Sequence, residues 1–260
     1  MAFRTTLLPA GVLGDPDAVR TFVLDAAQRV SLTITQERRD PKVFRVAVSP
    51  EAIAALPDAI RFVLPALRGS FWRVSFVSPT PEGAEYLGRN HRFVATLARY
   101  LMEEALTRHG QAKASRCGVI RTRAVDKLTT VLLLRIRYLL HQPERVPLLS
   151  EEVQVAGFVN GSPAGSRKWL KDDQALRLLA EARPDANVPL AEKSELVTAA
   201  LNMWPKLEAG LQERVTARAA ELEGRHKRIR QAVAMRVREL RLEPQFPPDL
   251  LGILVLQPMV

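Results

Sequence analysis

The stretch RCGVIRTRAVDKLTTVLLLRIRYLL (116–140) sets arginines at every second position beside an unbroken apolar run. In extended chain, successive side chains point to opposite faces. Arg121 and Arg123 therefore share one face of a first strand, and Arg135 and Arg137 one face of a second. Leu132, Leu134, Ile136 and Tyr138 then fall on the opposite, core-facing side of that second strand. The reading is a sheet with one buried side and one cationic side.

Working outward, the apolar pattern EEVQVAGFVNG (151–161) predicts a further strand after a turn-rich stretch at 142–147. The segment GSPAGSRK (161–168) reads as a loop, and short helices are predicted around Trp169–Glu181 and Pro189–Met203. Beyond Pro205 a long helix is expected to about Val233, with Leu211, Val215, Leu222, Ile229 and Val233 as its apolar stripe. Roughly 28 helical residues would span about 40 Å. RVRELRLEP (236–244) and LLGILVLQP (250–258) read as two closing strands around a turn at Pro244–Asp249, with RVREL as the helix end the alternative.

Towards the N-terminus, Asp15-Pro16-Asp17 is a helix start: an N-cap acid followed by proline in the first turn. SLTIT (31–35) and KVFRVAV (42–48) predict a β-hairpin, and Ser49-Pro50-Glu51 opens a short helix that Pro57 ends. A second short helix is expected from Asp58 to Leu64. FWRVSFV (71–77) predicts a strand, and a helix follows from about His91 to Arg108, its face made by Phe93, Leu97, Leu101 and Ala105. Strand-rich segments mixed with helices, without regular alternation, predict an α+β fold: a mixed, mainly antiparallel sheet with packed helices and a long C-terminal helix. Proline and glycine concentrate at 79–90, which suggests domains at 1–80 and 81–260.

The chain has 260 residues, 47% apolar and 25% charged, the composition of an ordinary globular protein. No apolar run reaches the roughly 18 residues that a membrane span needs. The N-terminal segment lacks a secretory core, and a lone Cys117 fits a reducing, cytoplasmic setting. The net charge of +10 is unevenly placed. Residues 108–137 carry eight Lys/Arg against Asp126 alone, and residues 225–241 carry seven against Glu239 alone. Positive charge held in two segments is what an interaction surface requires. A solvated basic face is the plain alternative.

Motifs for catalysis are missing. Gly161 to Lys168 is one residue short of phosphate-loop spacing and has serine where lysine is required. The histidines His91, His109, His141 and His226 are far apart, with no HExxH to hold zinc. The acidic pairs Glu103-Glu104, Glu151-Glu152 and Asp172-Asp173 are adjacent in sequence; adjacent residues on a strand point opposite ways and do not converge on one substrate atom, so they read as surface charge. No G-x-S-x-G elbow occurs. The expectation is therefore a chain that is not an enzyme and holds no cofactor or metal.

The basic residues remain. Arg116, Arg121, Arg123, Arg135 and Arg137, with Arg225, Lys227, Arg228 and Arg230, are candidates for contacts to phosphates or to an acidic protein. Cations near a helix C-terminus also complement the helix dipole. Aromatic residues make up 6% of the chain; Trp72, Trp169, Trp204 and Tyr138 fit apolar patterns better than stacking platforms, so duplex backbone or an acidic protein surface suits the chain better than single strands.

NHRFVATLARYLMEEAL (90–106), GVIRTRAVDKLTTVLLLRIRYLL (118–140), LLSEEVQVAGFVNG (148–161) and EPQFPPDLLGILVLQP (243–258) together resemble the region after the motor core in bacterial SNF2-type helicases, of the RapA-like and phage-defence kinds. The likeness spans about residues 50–258. It implies an accessory module of a motor that hydrolyses ATP and moves on double-stranded DNA. It also implies partners such as the motor domains, RNA polymerase or a defence-complex subunit. The motor's Walker A lysine, DEAH acid and arginine finger have no counterpart here. The family's histidine is commonly followed by proline, whereas His91 is followed by Arg92, so that histidine is read as a packing residue at the helix entry. The alternative is a scaffold that docks those proteins without touching DNA.

Overall fold

A computed structural model describes residues 16–66, 69–107, 112–142, 146–160, 168–232 and 240–259. The fold is α+β, with two mixed four-stranded sheets. The chain divides into two compact units, Met1–Ser115 and Arg116–Val260. The division falls later than the proline-rich stretch at 79–90, because the helix after that stretch packs into the first core.

The first unit runs α1 (Pro16–Arg29), β1 (Ile34–Gln36), β2 (Val43–Ala47), α2 (Pro50–Ile53), α3 (Asp58–Arg61), β3 (Phe71–Ser75), β4 (Glu85–Tyr86) and α4 (Arg92–Leu106). The expected hairpin forms, with Ile34 opposite Val46, and β3 adds antiparallel to β2. The two-residue β4, inside what reads as a loop, pairs parallel to β3. The Ser49 hydroxyl accepts the Ala52 N–H and caps α2, as the Ser-Pro-Glu signature predicts. α3 ends at Arg61, one turn short of Leu64, with Phe62 as its C-cap. Trp72, Val74 and Phe76 of the β3 segment share a core with Phe93 and Leu97 of α4 and with Val23 and Ala26 of α1. Asp15, the expected N-cap of α1, lies outside the described residues.

The second unit runs β5 (Cys117–Thr122), β6 (Thr129–His141), β7 (Leu148–Val159), α5 (Asp172–Glu181), α6 (Leu190–Asn202), a 3-10 turn at Trp204–Leu207, α7 (Glu208–Ala232) and β8 (Arg241–Pro258). The strand order is β5-β8-β6-β7, with β8 parallel to β5 and antiparallel to β6. The predicted alternation in β6 holds: Leu132, Leu134, Ile136 and Tyr138 are all buried. Leu132 and Leu134 pack with Leu207 and Leu211, Ile136 and Tyr138 with Val215 and Ala219, so α7 runs under the inner face of the sheet.

The opposite face is two regions. A Cβ on Gly157 would lie 3.2 Å from the Ala175 Cβ and 2.8 Å from the Leu170 Cδ1. Directly opposed residues share a face. Gly157 opposes Val131, so α5 covers the outer face beside Val131, which is buried as deeply as its inward neighbour Leu132. Past Leu133 the strand becomes one-sided, and its outer residues are Arg135 and Arg137. This is why the apolar run VLLL precedes the alternating part: its start is buried on both faces.

Two sequence readings need correction here. The two closing strands are one strand, β8, which passes through Pro244–Asp249 without a turn. It is accommodated by register shifts opposite Leu133/Leu134 and Arg135/Arg137, where one and then two extra residues of β8 let the strand bend and keep pairing. The apolar stripe of α7 ends at half-buried Leu222; Ile229 is 65% exposed, and Val233 lies outside the described residues. No residue of the last turns of α7 belongs to a core cluster among the described residues.

Candidate nucleic-acid interface

The structure splits the nine candidate cations into braces and free charges. Arg135 directs Nε and Nη2 at Asp249 Oδ2, at 2.9 and 2.7 Å, and Arg137 Nη2 reaches Asp249 Oδ1 at 2.9 Å. Asp249 stands opposite Arg135 in the β6–β8 ladder, which puts all three side chains on one face. Glu151, opposite Arg137 on β7, adds a longer contact of 3.9 Å to Arg135. The face expected to be strongly cationic is thus balanced by two carboxylates. The sequence pattern showed the arginines and hid Asp249, which is distant in sequence and enters through the β8 register shift.

Arg121 is also occupied. Its Nε donates to Gln257 Oε1 at 3.0 Å, and its Nη2 to both Glu192 oxygens at 3.1 and 3.2 Å, which ties β5 to β8 and α6. Arg123 does not share a strand face with Arg121, because β5 ends at Thr122. Arg123 is exposed in the following turn, where its backbone N–H donates to Asp185. Arg116 donates to the backbone carbonyls of Leu250 and Leu251, at the β8 register shift.

A further ion pair escaped the sequence reading. Glu151 and Glu152 do point opposite ways, and Glu152 is no surface charge: on the inner face it accepts from Arg218 of α7 and from the Tyr138 hydroxyl. Arg218 also pairs with Glu221. Burial, reinforced by the Glu152 charge, pushes the Tyr138 phenol above its ordinary value. The only sequence signal for this contact was the polar residue Arg218, three positions after Val215 on a helix whose stripe is otherwise apolar.

The second basic segment differs. Arg225 pairs with Glu221 one turn back. Lys227 and Arg228 are exposed, and neither has an ion-pair partner among the described residues. Arg230 lies on the same helix, and its side chain is outside the described atoms. No acidic residue occurs between Glu223 and Glu239. Among the described residues the end of α7 therefore carries positive charge without an acidic partner at Lys227 and Arg228, where the sheet face does not.

The Arg135 hydrogen bond, aided by the Arg137 charge, holds the Asp249 carboxyl below its ordinary value near 3.8. A carboxylate with a lowered folded-state pKa stabilises the fold fully above the unfolded value and loses that contribution as pH falls through the folded value. The stability advantage of the native chain over Asp249→Asn should therefore be complete above about pH 5 and shrink below about pH 4. Paired thermal melts from pH 7 to pH 3 read it; an advantage that grows on acidification would contradict the brace.

The first unit holds a separate polar constellation. Glu85 accepts from Trp72 Nε1 at 2.9 Å and lies 3.0 Å from His91 Nε2. His91 Nδ1 accepts the Phe93 N–H and caps α4, so the ring carries its proton on Nε2 and donates it to Glu85. Both ring nitrogens are used in structure, which fits the packing role expected at the helix entry. Among the described residues no cluster of His, Cys, Asp and Glu has metal-binding geometry. No helix among them is long and apolar enough to cross a membrane. Residues 161–167 of the near-miss phosphate loop lie outside the described residues.

The second unit is thus a helix-backed mixed sheet braced by arginine–carboxylate pairs, with a cationic helix end. Residues 103–260 match the family described as Domain of unknown function (DUF8741), and the chain belongs to that family. No curated protein matches the chain.

Proposed function

We propose that this chain is a non-catalytic accessory module of an SNF2-type motor on double-stranded DNA, and that it touches duplex backbone through the last turns of α7. The observation that supports this reading is the contrast between the two basic segments. Arg121, Arg135 and Arg137 spend their charge on Glu192 and Asp249, while Lys227 and Arg228 are exposed and have no ion-pair partner among the described residues. A helix end that presents cations without interleaved acids suits phosphates, whose contacts carry affinity without sequence readout. Exposed Arg123 extends the candidate set; the sheet arginines leave it.

The experiment is a duplex titration over a salt series. Each phosphate contact adds about 0.9 to the slope of log affinity against log salt. Lys227→Gln with Arg228→Gln should reduce that slope by about 2 and weaken binding roughly tenfold to a hundredfold at low salt. Binding that is absent at low salt, or indifferent to both changes, would end this reading.

A further inference from the structure

The second sheet has three edges that a neighbouring strand could extend, and two are closed. Beside β5, Asp185 donates its N–H to the Arg121 carbonyl and Ala186 forms a bridge to Arg121. Along β8, Pro244, Pro247 and Pro248 lack the N–H that pairing needs, and Arg116 occupies the Leu250 and Leu251 carbonyls. The outer edge of β7 carries such a bridge only at its end, between Phe158 and Trp169; along Leu149–Val155 neither device occurs among the described residues.

That edge is also begun and then vacated. Val159 N–H donates to the Lys168 carbonyl at 3.0 Å, and Leu170 N–H donates to the Gly157 carbonyl at 2.8 Å. Lys168–Leu170 is thus the start of a fifth strand, from which the chain leaves at Lys171 to enter α5. The β6–β7 register is unbroken, so backbone direction alternates along the whole of β7. Gly157 and Val159 direct their N–H and C=O outward; by alternation so do Leu149, Glu151, Val153 and Val155. These groups pair with no described residue.

The side chains say what fits. Leu149 and Val153 are 61% and 58% exposed on the outer face, with Glu151 between them. The nearest cation to Glu151 is Arg135 at 3.9 Å, and Arg135 makes its short contacts to Asp249. A strand laid here meets apolar, acidic, apolar positions in turn. Two copies of this edge paired about Glu151 or Glu152 would set like charges face to face, which destabilises a ladder.

We infer that β7 accepts, by strand addition at Leu149–Val155, an extended segment of a partner protein whose every second side chain, the set facing Leu149, Glu151 and Val153, runs apolar, basic, apolar. Main-chain hydrogen bonds would hold the segment, and Leu149, Glu151 and Val153 would select it. This goes beyond the DNA reading and is independent of it, since no residue is shared.

The probe is a fluorescent hexapeptide Val-Thr-Lys-Thr-Val-Thr, whose every second side chain faces Leu149, Glu151 and Val153 in turn, with Val-Thr-Glu-Thr-Val-Thr as its counterpart, titrated into the full chain. The lysine peptide should bind and the glutamate peptide should not. Val153→Pro removes an outward N–H that the sheet does not use, so the fold is kept while affinity drops about tenfold. Glu151→Lys, which leaves the backbone alone, should reverse the preference between the peptides. Amide exchange at Leu149, Glu151, Val153 and Val155 should slow when the lysine peptide is added. The inference is overturned if neither peptide binds, if Glu151→Lys leaves the preference unmoved, or if sedimentation reveals a dimer of the chain that Val153→Pro dissolves.

Discussion

Ile136→Ala is expected to destabilise the second unit by about 3 kcal/mol, roughly 10 °C in Tm, with the first unit unchanged. Ile136 is almost fully buried in a small cluster with Tyr138, Val215 and Ala219. Those neighbours sit on a central strand and on α7, so neither can collapse into the space that the lost side chain leaves. Calorimetry resolves the effect if the two units unfold separately. The neighbouring outward change Leu133→Ala removes a half-buried side chain and should cost less. Equal losses at the two positions would mean that the face assignment of β6 is wrong.

Glu152→Ala should cost about 2 kcal/mol, measured by denaturant unfolding. The change strands the Arg218 guanidinium at the sheet–helix boundary and takes the acceptor from the Tyr138 hydroxyl. Arg218 keeps Glu221, which holds the loss below that of a fully buried pair. Because the two residues act together, Glu152→Gln and Arg218→Gln should lose less in combination than the sum of the single losses. Strict additivity would show that the contact contributes nothing.

Much of this fold was legible because the relevant signals are local. The parity of Leu132 to Tyr138, the Ser49 cap and the β1–β2 hairpin depend on residues a few positions apart. The unit boundary was not legible, since proline and glycine mark where the chain turns, and they do not mark which core a following helix joins. β8 was read as two strands because Pro244, Pro247 and Pro248 break local pattern; edge position and register shifts tolerate what pattern reading forbids.

For the site, sequence located every basic residue and could not tell which of them are paired within the fold. Whether an arginine is free depends on what stands across the sheet. Asp249 is more than a hundred positions from Arg135, and Glu192 about seventy from Arg121. Charge counted along the chain placed the excess in both 108–137 and 225–241, whereas pairing in space offsets much of the first segment and leaves Lys227 and Arg228 without partners among the described residues. Adjacent-residue logic separated Glu151 from Glu152 correctly, yet only the packed helix reveals that one of them is a brace.

The most direct test compares two double variants in one duplex-binding salt series, with a melt recorded for each. Arg135→Gln with Arg137→Gln should lower Tm and leave duplex affinity and salt slope as in the native chain. Lys227→Gln with Arg228→Gln should leave Tm nearly unchanged and lose affinity and slope. The reverse pattern, with sheet variants that melt normally and fail to bind duplex, would contradict the division of these arginines and lysines into braces and free charges.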